Sequence, residues 1–245
     1  ASQIFAAAAY ISLLLRRRLV RAATLVRPPS RAALSQLAQA GGAVQARALA
    51  LNIAFLYVTR TVQRLDTTGT AAAAHAVTIQ LWQLGGVVLF ALSTVASILV
   101  PTELKREGGG RAAARATASR FLAWGAVLGA ALGAAQLAAL PMLHLFAPSA
   151  EVRAAAVVPS VIGAFLQLIN GVTFIGEGVM VGTGSFGALA AGQVVATLAL
   201  LATLTRAATL NQVWLVFWLF NSVRLANVLR HHFVAGPLVE KASQS

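Results

Sequence analysis

A single carboxylate, Glu177, stands between Gly176 and Gly178 in the otherwise acid-free apolar run from Ala154 to Val181. An ionisable side chain at bilayer depth is costly, and it marks a functional path or a buried pair. The flanking glycines open the backbone around an acid that can exchange a proton. The alternative is a protonated or arginine-paired structural group. Gln167, Asn170, Thr173 and Glu177 follow one another at intervals of three or four, so they share one side of a helix. Earlier in the chain Gln80 and Gln83 do the same below His75. Such a stripe is either the wall of a polar cavity or interhelical glue, each contact contributing less than about 2 kcal/mol.

The elements that must carry these residues are membrane spans. The chain has 245 residues, of which 58% are hydrophobic, and its mean hydropathy is +0.78. Uncharged stretches of about 20 residues, the length that crosses a bilayer core, recur along it. The expected full spans are Ala43–Val58, Ala71–Val100, Phe121–Phe146, Ala154–Val181, Phe186–Leu204 and Val213–Leu229. A shorter apolar segment, Ile4–Leu15, precedes them, and residues 1–15 are expected to be the end of a truncated span. Ala71–Val100 is long enough to require tilt or an extension past the membrane. The runs are continuous rather than alternating, which disfavours a β-barrel. The predicted fold is an all-α integral membrane protein with six transmembrane helices plus the truncated N-terminal one.

Only six residues are acidic against 19 Lys plus Arg, a formal charge of +13. The basic residues cluster in short segments between apolar runs, a pattern of membrane topology rather than of nucleic-acid binding. With the segment after Leu15 on the cytoplasm-like side, only Arg60, Arg64, Arg153 and Arg206 fall on the opposite side. Arg47 and Arg224 lie within spans near their inner ends. Residues 16–40 read as a basic linker, with Pro28-Pro29-Ser30 interrupting any helix and its arginines suited to an anionic membrane surface. Pro101–Arg120 reads as a second polar connector that fixes topology, with lipid-headgroup binding as the functional alternative, and residues 234–245 as a polar tail.

Gly125, Gly129 and Gly133 form two overlapping G-x-x-x-G steps, a device for close helix packing in lipid. No enzyme constellation emerges. The chain lacks cysteine, which removes thiolate chemistry and Cys-based zinc sites. The four histidines show no zinc-protease spacing, and His231-His232 reads as an interfacial pair. Gly108–Gly110 lacks the Lys-Ser/Thr ending of a phosphate loop. No metal or organic cofactor is expected.

The run Gly69-Thr70-Ala71-Ala72-Ala73-Ala74-His75-Ala76-Val77, followed by Gln80-Leu81-Trp82, resembles the eighth span of multidrug and toxic compound extrusion (MATE) transporters of the DinF-like branch. Gln167-Leu168-Ile169-Asn170, Phe174, Glu177-Gly178, Gly182 and Phe186 resemble that family's tenth span and the turn after it. Val213-Trp214-Leu215 through Asn221-Ser222-Val223-Arg224 is similar to its last span. The match covers about Gly41 to Phe233, and it rests on the order and spacing of the motifs. The chain departs from the family pattern at Glu177-Gly178, where Asp-Gly is usual, at Ala76, where Gln is frequent, and at Ser185-Phe186, where many relatives have Asp-Phe.

The resemblance implies that residues 41–233 form the C-terminal six-helix lobe of a two-lobed, twelve-helix transporter, with residues 16–40 as the inter-lobe linker. Such transporters export organic solutes in exchange for H⁺ or Na⁺. Glu177, Gln167, Asn170, Thr173, Gln80, Gln83 and His75 would then face the central cavity, and the partner would be a second six-helix lobe, in the same polypeptide or a separate chain. The absence of an initiator Met and the start inside a span are expected of a fragment or a processed chain. The alternative is a non-transporting accessory subunit of a large photosynthetic or respiratory membrane complex, derived from half a transporter. It is suggested by the lack of an acid in Ala43–Val58, the seventh span that other branches use for coupling. The expected location is a plastid membrane or bacterial inner membrane, in contact with lipid, with basic loops on the stromal or cytoplasmic side.

Overall fold

The computed structural model describes residues 2–17 and 29–239. Arg18, Arg21 and Arg27 of the expected linker, and residues 240–245 of the expected tail, lie outside them. The elements are α1 (Ser2–Arg16), α2 (Arg31–Leu65), α3 (Thr70–Lys105), α4 (Arg111–Ala138), a 3₁₀ turn (Leu140–Leu145), α5 (Ala150–Gly182), α6 (Phe186–Leu204), α7 (Leu210–Arg230) and a π-helical turn (His231–Ala235). No strand occurs among the described residues. Six helices, α2 to α7, are long and apolar enough to cross a membrane. At 1.5 Å per residue, α3, with 36 residues, is about 54 Å long, well beyond a hydrocarbon core of about 30 Å.

The chain divides into two compact units, Ala1–Gly41 and Gly42–Ser245. In the first, α1 coincides with the short apolar segment and exposes Ile4, Phe5, Tyr10 and Ile11. Part of the expected linker is helical. Ser30 accepts a hydrogen bond from the Ala33 N–H at 3.2 Å, so it caps a helix whose first ten residues fall within 16–40. These residues are mostly Ala, Leu, Gln and Arg, all good helix formers.

In the second unit α5 is the hub, packed most extensively on α3 and α4 and also on α7, while α6 packs mainly on α7. Buried residues on α4 fall at Ala114, Ala118, Leu122, Gly125, Gly129, Gly133 and Gln136, a seam with intervals of four and three. A Cβ added at Gly125, Gly129 or Gly133 would strike the backbone carbonyl of Gly171, Gln167 or Ala164 on α5. These glycines therefore set the helix–helix distance, and that distance brings the polar residues of α5 among those of α3 and α4. Gly178 and Gly182 do the same for α3, facing the carbonyls of Ser93 and Ser97.

The span expected at Phe121–Phe146 is displaced, starting at Arg111 and ending at Ala138. Pro141 ends it, because proline has no amide N–H and disfavours helix in the residue before it. Its start is set by Gly108 and Gly110, whose φ values of 75° and 107° are left-handed. The basic residues Arg111, Arg115 and Arg120 thus stand on the first three turns of α4.

Between α2 and α3, Asp66 accepts from the Ala72 N–H at 3.0 Å and from the Thr68 N–H and hydroxyl, each at 2.9 Å. These donors, chiefly the Ala72 amide, hold the Asp66 carboxyl well below the usual carboxylate range, at about 2.

Candidate functional site

Three polar arrangements occupy the second unit. The first is an ion triad. Glu177, only 6% exposed, projects from α5 toward Arg224 of α7 and Arg47 of α2. Arg224 Nε and Nη2 both reach Glu177 Oε1, at 3.0 and 2.8 Å, while Arg224 Nη1 donates to Asn221 Oδ1 at 3.0 Å. The Arg224 guanidinium also lies 5.5 Å from the ring centre of Phe174 and 5.4 Å from that of Phe220. Arg47 donates from Nη2 to Glu177 Oε2, and its buried Nε has no partner in the protein. The close approach of α7 depends on Gly176, where an added Cβ would collide with Val228. The two glycines around the acid therefore admit neighbouring helices. Of the two roles open to Glu177, the arrangement is that of an arginine-paired group.

The second arrangement is an amide network sealed between α3, α4 and α5. Gln167 Nε2 donates to the Trp82 carbonyl at 2.8 Å and approaches Gln136 Oε1 at 3.4 Å, and Gln136 Nε2 donates to the Ser160 carbonyl at 3.1 Å. Thr173 donates to the Ile169 carbonyl of its own helix at 2.8 Å. Asn170 is 1% exposed, and neither of its side-chain polar atoms has a partner in the protein. Thus Gln167 and Thr173 act inside the packing.

The third is an open groove of about 510 Å³ between α2 and α3, lined by Asn52, Phe55, Thr59, Val62 and Gln63 on α2 and by His75, Ile79 and Gln83 on α3. His75 packs edge-on against Trp214 with ring centres 5.9 Å apart, and its Nδ1 is buried without a partner. Behind it, Trp82, Trp214, Phe217 and Phe55 make a continuous aromatic wall. A second recess of about 440 Å³ lies on the other side of Gln83 and includes Gln80.

The structure therefore distributes the predicted residues. His75 and Gln83 share the groove, Gln80 borders the adjoining recess, Glu177 lines a separate pocket of about 160 Å³, and the other three members of the stripe are buried among helices. Sequence reasoning missed the α2 wall. The available signal was the series Gln45, Asn52, Thr59 and Gln63, at steps of seven, seven and four, which traces a single helical side. Among the described residues no three His, Asp or Glu side chains are grouped to hold a metal.

The fold and these sites define an all-helical integral membrane protein with six candidate crossing helices and a polar groove on the outside of its bundle. The chain matches no protein-family model, no curated protein and no solved structure.

Proposed function

We propose that this chain is one lobe of a solute transporter, the C-terminal six-helix half of a MATE-type antiporter that exports organic molecules in exchange for H⁺ or Na⁺. It has no enzymatic role in this reading, and it works against a second six-helix lobe across the α2–α3 groove. The carrying observation is the polarity of that groove. Asn52, Thr59, Gln63 and Gln83 are exposed on helices otherwise suited to lipid. Polar side chains within a span face a protein interior or an aqueous cavity rather than acyl chains. A volume of about 510 Å³ is in the range of small-molecule sites, and its aromatic back wall suits an amphipathic solute. The order and spacing of the MATE-like motifs point the same way. Alternating access would then rock one lobe against the other around this face. The expected setting is a plastid or bacterial inner membrane with the basic loops on the stromal or cytoplasmic side.

One observation favours a second reading, an accessory subunit of a larger membrane complex that no longer transports. Both oxygens of Glu177, the acid nearest a coupling role, are taken by guanidinium groups.

Substituted-cysteine labelling separates the two, because the chain has no native cysteine. Thr59→Cys and Gln83→Cys, in native membranes, should react with a membrane-impermeant maleimide, and an organic solute in excess should protect them. Leu198→Cys, on the exposed side of α6, should not react. Groove cysteines that react only after detergent dissociates the native particle would support the accessory subunit. Groove cysteines that stay as unreactive as Leu198→Cys throughout would refute the transporter reading.

A further inference from the structure

The ion triad holds two guanidinium groups and one carboxylate, an excess of one positive charge, and its loose end is Arg47. Each guanidinium nitrogen of Arg224 has a partner, with Nε and Nη2 on Glu177 and Nη1 on Asn221. Arg47 uses only Nη2 on Glu177, leaves Nε unpartnered, and has 29% of its side chain exposed. That side chain lines the 160 Å³ pocket, together with Ser93, Thr94 and Ser97 on α3 and with Glu177, whose carboxylate is already held by the two arginines. Such a pocket is well below the size of a drug-like ligand site, so it suits a headgroup-sized anion.

The hydroxyls narrow the chemistry. Ser93 donates to the Phe174 carbonyl at 2.7 Å, Thr94 to Phe90 at 2.9 Å, and Ser97 to Thr94 at 2.7 Å. Their protons are committed to backbone carbonyls, so what these side chains can offer a ligand is acceptor oxygens. A fitting ligand offers Arg47 an anionic oxygen and offers the serines and threonine O–H donors. One net positive charge matches one negative charge. Position agrees with a ligand from the membrane interface, since Ser97 precedes Lys105 at the basic end of α3 by eight residues, about 12 Å of helix.

We propose that Arg47, Ser93, Thr94 and Ser97 form a binding site for a mono-anionic phosphodiester bearing free hydroxyl groups, of the phosphoglycerol type. Arg47 donates to the phosphodiester oxygen, and the three side-chain oxygens accept from the glycerol hydroxyls. Occupancy neutralises the triad through the exposed part of the Arg47 guanidinium. The site does not depend on transport, because its residues lie outside the α2–α3 groove.

The source is either phosphatidylglycerol from the bilayer or the water-soluble deacylated headgroup, glycerophosphoglycerol. The test uses the whole chain in phosphatidylcholine nanodiscs titrated with phosphatidylglycerol or phosphatidylserine, with retained lipid read by native mass spectrometry. The wild type is expected to retain phosphatidylglycerol about tenfold over either other lipid, a free-energy preference of about 1.4 kcal/mol. Arg47→Gln should abolish the preference. Ser97→Ala, which leaves all three charges in place, should reduce it severalfold, so the test stands even if Arg47→Gln fails to fold. Competition by millimolar glycerophosphoglycerol would assign the free headgroup as a ligand, and lack of competition would assign the lipid. Equal retention of phosphatidylglycerol by the wild type, Arg47→Gln and Ser97→Ala would overturn the site. Equal retention of phosphatidylserine by the wild type would overturn its hydroxyl selectivity.

Discussion

Gly129 offers a measurement of how tightly the membrane bundle is built. An added Cβ there would strike the Gln167 carbonyl oxygen and lie 3.1 Å from Leu168 Cα, where carbon atoms normally keep about 3.5–4.0 Å. Both obstacles are backbone, so no rotamer change relieves them. Gly129→Ala must therefore separate α4 from α5 by roughly 0.5–1 Å. That movement loosens the neighbouring contacts of Gly125 with Gly171 and Gly133 with Ala164. It also stretches the bond from Gln136 to the Ser160 carbonyl, now 3.1 Å, beyond hydrogen-bond range. Overpacking costs about 1–3 kcal/mol and the lost buried hydrogen bond about 1 kcal/mol more, while the better helix propensity of alanine returns up to about 1 kcal/mol. The net of about 1–3 kcal/mol corresponds to a melting temperature lowered by roughly 3–9 °C for a chain of this size. Intrinsic tryptophan fluorescence during heating in mild detergent reads it, because Trp82 and Trp214 are core residues. Gly187→Ala on α6 is the control, since its Cβ would meet nothing within 4 Å. Equal shifts in the two variants, or none in Gly129→Ala, would refute the view that the G-x-x-x-G steps set the helix spacing.

Further outcomes follow from the same geometry. Trp214→Ala removes a fully buried indole from the aromatic wall and should cost about 3–5 kcal/mol in denaturant unfolding, whereas Trp218→Ala, at a site 38% exposed, should cost far less. Glu177→Gln leaves two guanidinium groups facing a neutral amide and should destabilise by about 3–5 kcal/mol. Adding Arg224→Met to it should recover part of that loss, which a double-mutant cycle measures. Asp66 has its carboxyl held at about 2, below the unfolded value of 3.8, so its contribution to stability is complete above pH 4 and disappears as pH falls toward 2. Thermal melts from pH 5 to 2 should show this loss in the wild type and a correspondingly shallower decline in Asp66→Asn.

The helices and the close packing of α4 on α5 were legible because each is written in local composition. Long uncharged stretches have one structural use in lipid, and glycine at steps of four has few. Boundaries were less legible where a single residue outweighed hydropathy. Pro141 cut short an apolar run that otherwise continued to Phe146, and Ser30 capped a helix that begins inside the segment whose prolines and arginines suggested a linker. The polar stripe of α5 was found but not its destination. Intervals of three and four place Gln167, Asn170, Thr173 and Glu177 on one side of a helix, and periodicity says nothing of what that side meets. Because α5 is the hub, that side meets α3, α4 and α7, and only Glu177 at its end also borders a small pocket.

The triad was half legible, for a reason that loop-charge counting makes clear. The positive-inside rule assigns an arginine to its nearest loop, and by that rule Arg47 and Arg224 are topological markers close to inner span ends. Depth carries the missing information. Glu177 lies five residues before the end of α5 and Arg224 six before the end of α7. Helices two apart in an alternating bundle run in the same direction, so the residues sit about 7.5 and 9 Å from helix ends on the same side. Two opposite charges at one depth, with no other acid in either span, have few ways to be satisfied except by each other. Arg47 enters at the same end from α2, and with Glu177 already bound to Arg224 its guanidinium is left partly free. The excess cation beside the small pocket is thus a consequence of placing two arginines and one acid at a shared depth.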